Sequence, residues 1–211
     1  MGVAERKERE KERRRLDIID AAEEVFFSKG FEKSTMDDVA EQAELSKGTL
    51  YLYFESKDEL FLEIIYRGNN ILYNLFQKAV EIEGNGLCKT KAIGKAFIEF
   101  NRKYPNYYNA FLQNQTQKIV MEKLDRAEGK VISVKEKSME LFINIINEGI
   151  SDGSLKSDLD PMKTALTLWA ETTGILLLAK LKGVMIYKGF GVSEEELINY
   201  FFEFTWRALR A

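Results

Sequence analysis

Ser34-Thr-Met-Asp-Asp-Val-Ala-Glu-Gln-Ala-Glu-Leu-Ser-Lys-Gly-Thr-Leu-Tyr-Leu-Tyr-Phe-Glu-Ser-Lys57 decides the fold. It reads as a short helix, a tight turn and a second short helix. Thr35 is placed to cap the first helix, with Asp38 three residues on as a variant of the capping box. Val39, Ala40 and Ala43 give that helix one small apolar face, and Ala40 lets a second helix cross closely. Ser46 is placed to cap the second helix, where Leu50 and Phe54 stand i, i+4 on the buried side. Lys47, Gly48, Thr49, Tyr51 and Tyr53 occupy the other side. Two short helices with a shared apolar seam and one basic, hydroxyl-rich outer face make a helix-turn-helix.

This stretch resembles the DNA-binding signature of the TetR family of transcriptional regulators. The resemblance rests on Thr35, Met36, Val39, Ala40, Ala43, Ser46, Lys47, Gly48, Thr49, Leu50, Tyr51, Tyr53, Phe54, Lys57 and Leu60. One position departs from it. The family usually has Gly at the turn, where φ tends to be positive, and here the residue is Glu44; a side chain there strains the turn by roughly 1 kcal/mol. Beyond about residue 60 the chain matches the family only in length and helical style. The resemblance implies that Ser46 to Tyr53 enters the major groove, with Lys47, Gly48 and Thr49 nearest the base edges. It further implies that Thr35, Tyr51, Tyr53 and Lys57 fix the DNA backbone.

Composition sets outer bounds. The 211 residues allow one large domain or two small ones, and 45% hydrophobic with 31% charged residues is ordinary for a soluble globular protein. Only two prolines, with abundant Leu, Ile, Glu and Lys, point to an all-α chain. Residues 1–60 carry 11 Lys/Arg against 16 Asp/Glu, so DNA contact must rest on a local basic face. The single cysteine, Cys88, excludes an intrachain disulfide and suits a reducing cytoplasm. No signal peptide or membrane span is expected, since the most apolar run, Ala165 to Ala179, is short and interrupted by Glu171. With no histidine in the chain, His-based triads, His metal sites and a His general base are excluded. No metal site and no cofactor are expected.

The remaining segments extend the helical pattern. Residues 5–15 form a charge run, readable as an exposed helical extension or as a basic arm along the DNA backbone with Arg13 to Arg15 closest. Leu16, Ile19, Ala22, Val25 and Phe26 recur at helical spacing up to a stop at Gly30, and this helix closes a three-helix head. Ser56-Lys-Asp-Glu59 is a capping box that opens a helix continuing to about residue 83. Further helices are expected over about 89–103, ending at Pro105, over 128–149, over 161–183 after Asp160-Pro161, and from the capping box at Ser193 to about residue 210. The predicted architecture is an N-terminal DNA-binding head, residues 1–55, joined by the long helix to a helical effector-binding and dimerisation domain, residues 56–211.

Helix 161–183 is apolar nearly all round. Either it fills a large monomeric core, or one face is covered by a second copy. Leu166, Ala170, Gly174 and Leu177, with Phe201 and Trp206 of the last helix, are the expected dimer contacts. Phe97, Phe100, Tyr104, Tyr108, Phe111, Phe142 and Trp169 read as core or as the aromatic wall of a small-molecule pocket, with Gln115 and Thr172 as its polar groups. Glu171 is either exposed or placed to favour a cationic ligand. The leading reading is a non-enzymatic repressor that leaves a palindromic operator when a small molecule binds. The alternatives are an architectural DNA-binding protein without an effector and a helical enzyme with a DNA-binding head.

Overall fold

The computed structural model describes residues 2–116 and 125–211. The described residues form nine α-helices: α1 (Val3–Lys29), α2 (Met36–Gln42), α3 (Lys47–Tyr51), α4 (Lys57–Val80), α5 (Gly86–Lys103), α6 (Pro105–Thr116), α7 (Asp125–Ser151), α8 (Pro161–Phe190) and α9 (Glu194–Leu209). The chain is all-α, and among the described residues the one β-type pairing is an isolated antiparallel bridge between Leu155 and Arg210. Packing gathers it into two compact units. The first comprises Met1–Ile71 with Tyr104–Val134, and the second Leu72–Lys103 with Lys135–Ala211.

In the first unit, the charge run is helical from Val3 onward and continues into the amphipathic part of α1 without a break. Gly30 ends α1 at φ 83°, its amide donating to the Phe26 carbonyl at 3.0 Å. Phe31 then folds back edge-on against Phe26, ring centres 5.5 Å apart. Thr35 and Asp38 form the reciprocal capping box of α2. The turn after α2 is closed by the Leu45 amide donating to the Ala40 carbonyl at 2.9 Å. Glu44 sits in this turn at φ 54°, the one left-handed non-glycine among the described residues. Ser46 caps α3 by accepting from the Thr49 amide. Leu50 and Phe54 are then 0% exposed, in one core with Ile18, Ala22, Val39, Ala40, Leu60 and Ile64.

In the second unit, α5 begins three residues before the expected position 89. Its first amides find partners far away in sequence: Gly86 N–H donates to Asp152 Oδ2 at 2.7 Å, and Leu87 N–H to Ser154 Oγ at 3.0 Å. At the same end Gly86 lies against Gly149 of α7 so closely that a Cβ on Gly86 would come within 2.2 Å of the Gly149 backbone. Helix α8 runs seven residues past the expected end at 183, to Gly191 in the left-handed conformation at φ 70°. Its buried face is Thr164, Ala165, Leu168, Thr172, Leu176 and Ala179, so only part of its apolar circumference is covered within the chain.

The strain at Glu44 is measurable. Glu44→Gly is expected to raise stability by up to about 1 kcal/mol, because glycine reaches φ 54° without steric cost. Urea unfolding should show a higher midpoint at an unchanged m-value. An unchanged midpoint would mean that the turn is unstrained.

Candidate functional site

The outward side of α3 follows from its buried side. With Leu50 and Phe54 turned into the core, Ser46, Lys47, Gly48 and Tyr51 are exposed together on one surface. The hydroxyls of Ser46 and Thr49 lie 2.8 Å apart. Lys47 pairs with Asp37 of α2 at 2.7 Å, and that hydrogen bond pushes its amine pKa up. A phosphate approaching Lys47 therefore competes with a carboxylate already in place. Thr35 is exposed, and its hydroxyl donates to Asp38 Oδ2 at 3.0 Å. Tyr53 is half-buried against the core and faces an open groove of about 620 Å³ beside the α1 extension, lined also by Lys7, Lys11, Arg13 and Arg14, with Glu10 and Asp17.

Two cations of this region point inward. The Lys57 ammonium donates to the Phe31 and Ser34 carbonyls at 2.8 and 3.0 Å and lies 4.3 Å from the centre of the Phe31 ring. It staples the loop between α1 and α2. Arg15, grouped in the sequence with a DNA-facing arm, donates instead to Glu63 of α4 at 2.6 Å and lies over the Phe54 ring at 4.9 Å. Glu63 is 5% exposed and also accepts from Lys130 of α7 at 3.0 Å. Glu63 is the desolvated member of this cluster, so removing a cation that pairs with it is destabilising. Glu63 is absent from the expected site residues, although a carboxylate inside the apolar run Leu60 to Ile65 is a visible signal.

The same unit holds a second polar cluster. Arg67 bridges Asp20 and Glu23 at 2.7 and 3.0 Å, and the Tyr107 hydroxyl donates to Glu23 at 2.8 Å. Burial raises the pKa of Glu23, and burial together with the Glu23 carboxylate pushes Tyr107 up to about 12.

The residues expected to bind an effector fall in both units. Phe97, Phe100, Phe142, Trp169 and Thr172 belong to the second. There Phe97 and Phe100 are buried, Phe142 and Trp169 half-buried, and the Thr172 hydroxyl donates to the Leu168 carbonyl at 2.7 Å. Tyr104, Tyr108 and Phe111 belong to the first, where Tyr108 and Phe111 are buried and stacked at 6.2 Å. The Gln115 side chain lies outside the described residues. Glu171 is exposed. Of the expected dimer contacts, Leu166, Ala170, Gly174 and Leu177 are exposed along α8. Phe201 and Trp206 are half-buried, and Trp206 stacks on Phe202 at 5.3 Å, close to Gly94 of α5. The exposed aromatics of α9 are Tyr200 and Phe204, which the sequence did not single out.

The fold and this outward face define a helix-turn-helix DNA-binding protein. Comparison with known proteins specifies it further. The family model for bacterial regulatory proteins of the tetR family matches residues 18–64. The HTH-type transcriptional regulator YhgD of Bacillus subtilis (strain 168) is 31% identical over 157 residues, which span 72% of this chain and 76% of the relative. The HTH-type transcriptional repressor KstR2 of Rhodococcus jostii (strain RHA1) is 28% identical over 150 residues, 70% of each chain. Among solved structures, the regulator FadR of Bacillus subtilis in complex with stearoyl-CoA superposes with a TM-score of 0.69 at 19% identity, covering 90% of this chain and 96% of that one. The chain belongs to the TetR family of bacterial regulatory proteins. It is a transcriptional regulator and not an enzyme. Among the described residues no helix is long and apolar enough to cross a membrane.

The α2 cap carries a pH signature. Hydrogen bonds from Lys29, then from the Thr35 amide and hydroxyl, lower the Asp38 pKa from 3.8 to about 2. A depressed carboxylate contributes stability that is fully present above its unfolded pKa and is lost as pH falls through the folded one. The stability difference between the wild type and Asp38→Asn should therefore be constant above about pH 4 and shrink between pH 4 and 2. Acid titrations of both proteins followed by circular dichroism test this; a difference that persists unchanged at pH 2 contradicts the assigned cap.

Proposed function

We propose that this protein is a cytoplasmic repressor that binds a palindromic operator as a homodimer and leaves it when a small-molecule effector binds. The observation that carries the DNA half is the exposed edge from Ser46 to Gly48 with half-buried Thr49 beside it, held from behind by Leu50 and Phe54. In this reading residues 1–55 are the reading head, with Lys47, Gly48 and Thr49 at base edges and Thr35, Tyr51, Tyr53 and Lys57 on the backbone. Because Lys57 already bonds two carbonyls, its DNA contribution rests partly on keeping the α1–α2 loop in place.

The homodimer is supported by apolar surface that the chain leaves uncovered. Met162, Leu166, Leu177, Leu181, Val184 and Met185 are all exposed along α8, beside Tyr200 and Phe204 of α9. Exposed apolar side chains in this number on one helix of a globular protein mark an interaction surface. Its self-association gives the two-fold symmetry a palindrome requires. Gly174 is exposed on the same helix, with nothing within 4 Å of an added Cβ. Gly174→Glu should place paired charges across the two-fold contact and yield monomers. An intact dimer in sedimentation would move the interface elsewhere.

Residues 56–211 are proposed to take the effector among their aromatic side chains. The stearoyl-CoA bound by the structurally similar FadR supports a ligand with a large apolar part. Helix α4 runs unbroken from Lys57 to Val80, so a shift along it can change the spacing of the two reading heads. The effector must bind the DNA-incompetent form more tightly and lose affinity on operator by the same factor, typically about 1–3 kcal/mol of coupling. Selection of bound sequences from a random DNA pool should return an inverted repeat. A ligand found by thermal shift should then bind the operator complex about 5- to 150-fold more weakly than the free dimer. Equal affinities would leave a DNA-binding protein without a switch.

A further inference from the structure

We infer that Leu52 is a specificity-determining residue, which packs on the 5-methyl group of a thymine in each half-site through the clearance left by Gly48. The inference rests on the DNA-binding reading above and adds to it one named side chain and one named base feature.

The geometry comes from helical register. Leu50 and Phe54 are 0% exposed and set the buried direction of the recognition segment. Gly48 and Leu52 each stand two residues from Leu50, about 200° around a helix, which turns both away from the core. Leu52 keeps helical dihedrals, φ −73° and ψ −18°, so the register extends to it. It is 80% exposed, the most exposed large apolar residue among those described. The other exposed residues of 46–52 are Ser46, Lys47, Gly48 and Tyr51, every one polar or without a side chain.

Gly48 is the second observation. Its φ lies outside the positive region, and an added Cβ would meet nothing nearer than Ser46 Oγ at 4.0 Å. Neither the backbone nor the packing of the protein calls for glycine there. Inside a helix glycine is less favourable than alanine. Its use is therefore clearance for something outside the protein, one turn from an exposed leucine. In the major groove, the thymine 5-methyl is the apolar group that standard bases present. A leucine placed there gains contact with that methyl, and over any other base it would cover donors or acceptors without bonding them.

The test starts from the operator recovered by selection. Each thymine is replaced singly by deoxyuridine, which removes only the methyl, and affinity is measured for the wild type and Leu52→Ala. The wild type should lose about three- to fivefold per half-site at one position, the effect of withdrawing one methyl from apolar contact. Leu52→Ala should be indifferent at that position and match the wild type at every other. Its melting temperature should be unchanged, since the side chain is exposed. Gly48→Ala should melt no lower than the wild type and bind the operator at least tenfold more weakly. A Leu52→Ala profile identical to the wild type, or an operator with no methyl-sensitive thymine, overturns the inference while leaving operator binding intact. A wild type that selects no sequence overturns the DNA-binding reading as well.

Discussion

Everything the reading head does depends on the burial of Leu50 and Phe54. A five-residue helix has no independent stability, because the cost of nucleating it is never repaid by its own few hydrogen bonds. Helix α3 exists because these two side chains are fully enclosed by α1, α2 and α4. Their direction also decides what faces outward. Once Leu50 points in, the edge from Ser46 to Gly48 and the exposed Leu52 must point out, and no flexible loop is needed to present them.

The electrostatics of the head are more restrained than a count of its cations suggests. Lys47 is paired with Asp37, Lys57 holds backbone carbonyls, and Arg15 is drawn inward to Glu63. Outward charges also lie on the α1 extension, around the groove that Tyr53 faces. An acidic protein can still hold a polyanion when hydroxyls and amides supply much of the contact and the cations are local. Such binding carries a modest salt dependence, since few phosphates are neutralised.

Glu63 ties the reading head to a distant part of the chain. It joins Arg15 of α1 and Lys130 of α7, and Arg15 in turn lies on Phe54 at the end of the recognition segment. A buried ionic cluster of this kind contributes little net stability compared with apolar packing, yet it penalises strongly any arrangement that separates its members. The part of α7 that belongs to the first unit, up to Val134, and the seating of the recognition segment are thus held to one another.

Much of this was legible in the residues themselves. The caps at Thr35, Ser46, Asp160 and Ser193, the stop at Gly30 and the all-α architecture each depend on groups a few positions apart, and short-range hydrogen bonding and helical period determine them, whereas the positive φ at residue 44 was expected only from the family resemblance. Tertiary structure decided the rest. Arg15 and Glu63 are 48 residues apart in sequence, and Lys130 is 67 from Glu63, so no local pattern announces their meeting. The early start of α5 depends on Asp152 and Ser154, and the inward turn of Lys57 on carbonyls at Phe31 and Ser34. Which apolar face of α8 is covered, and which is left exposed, was equally beyond its periodicity, because a helix that is apolar all round carries no mark of the side its neighbours will take.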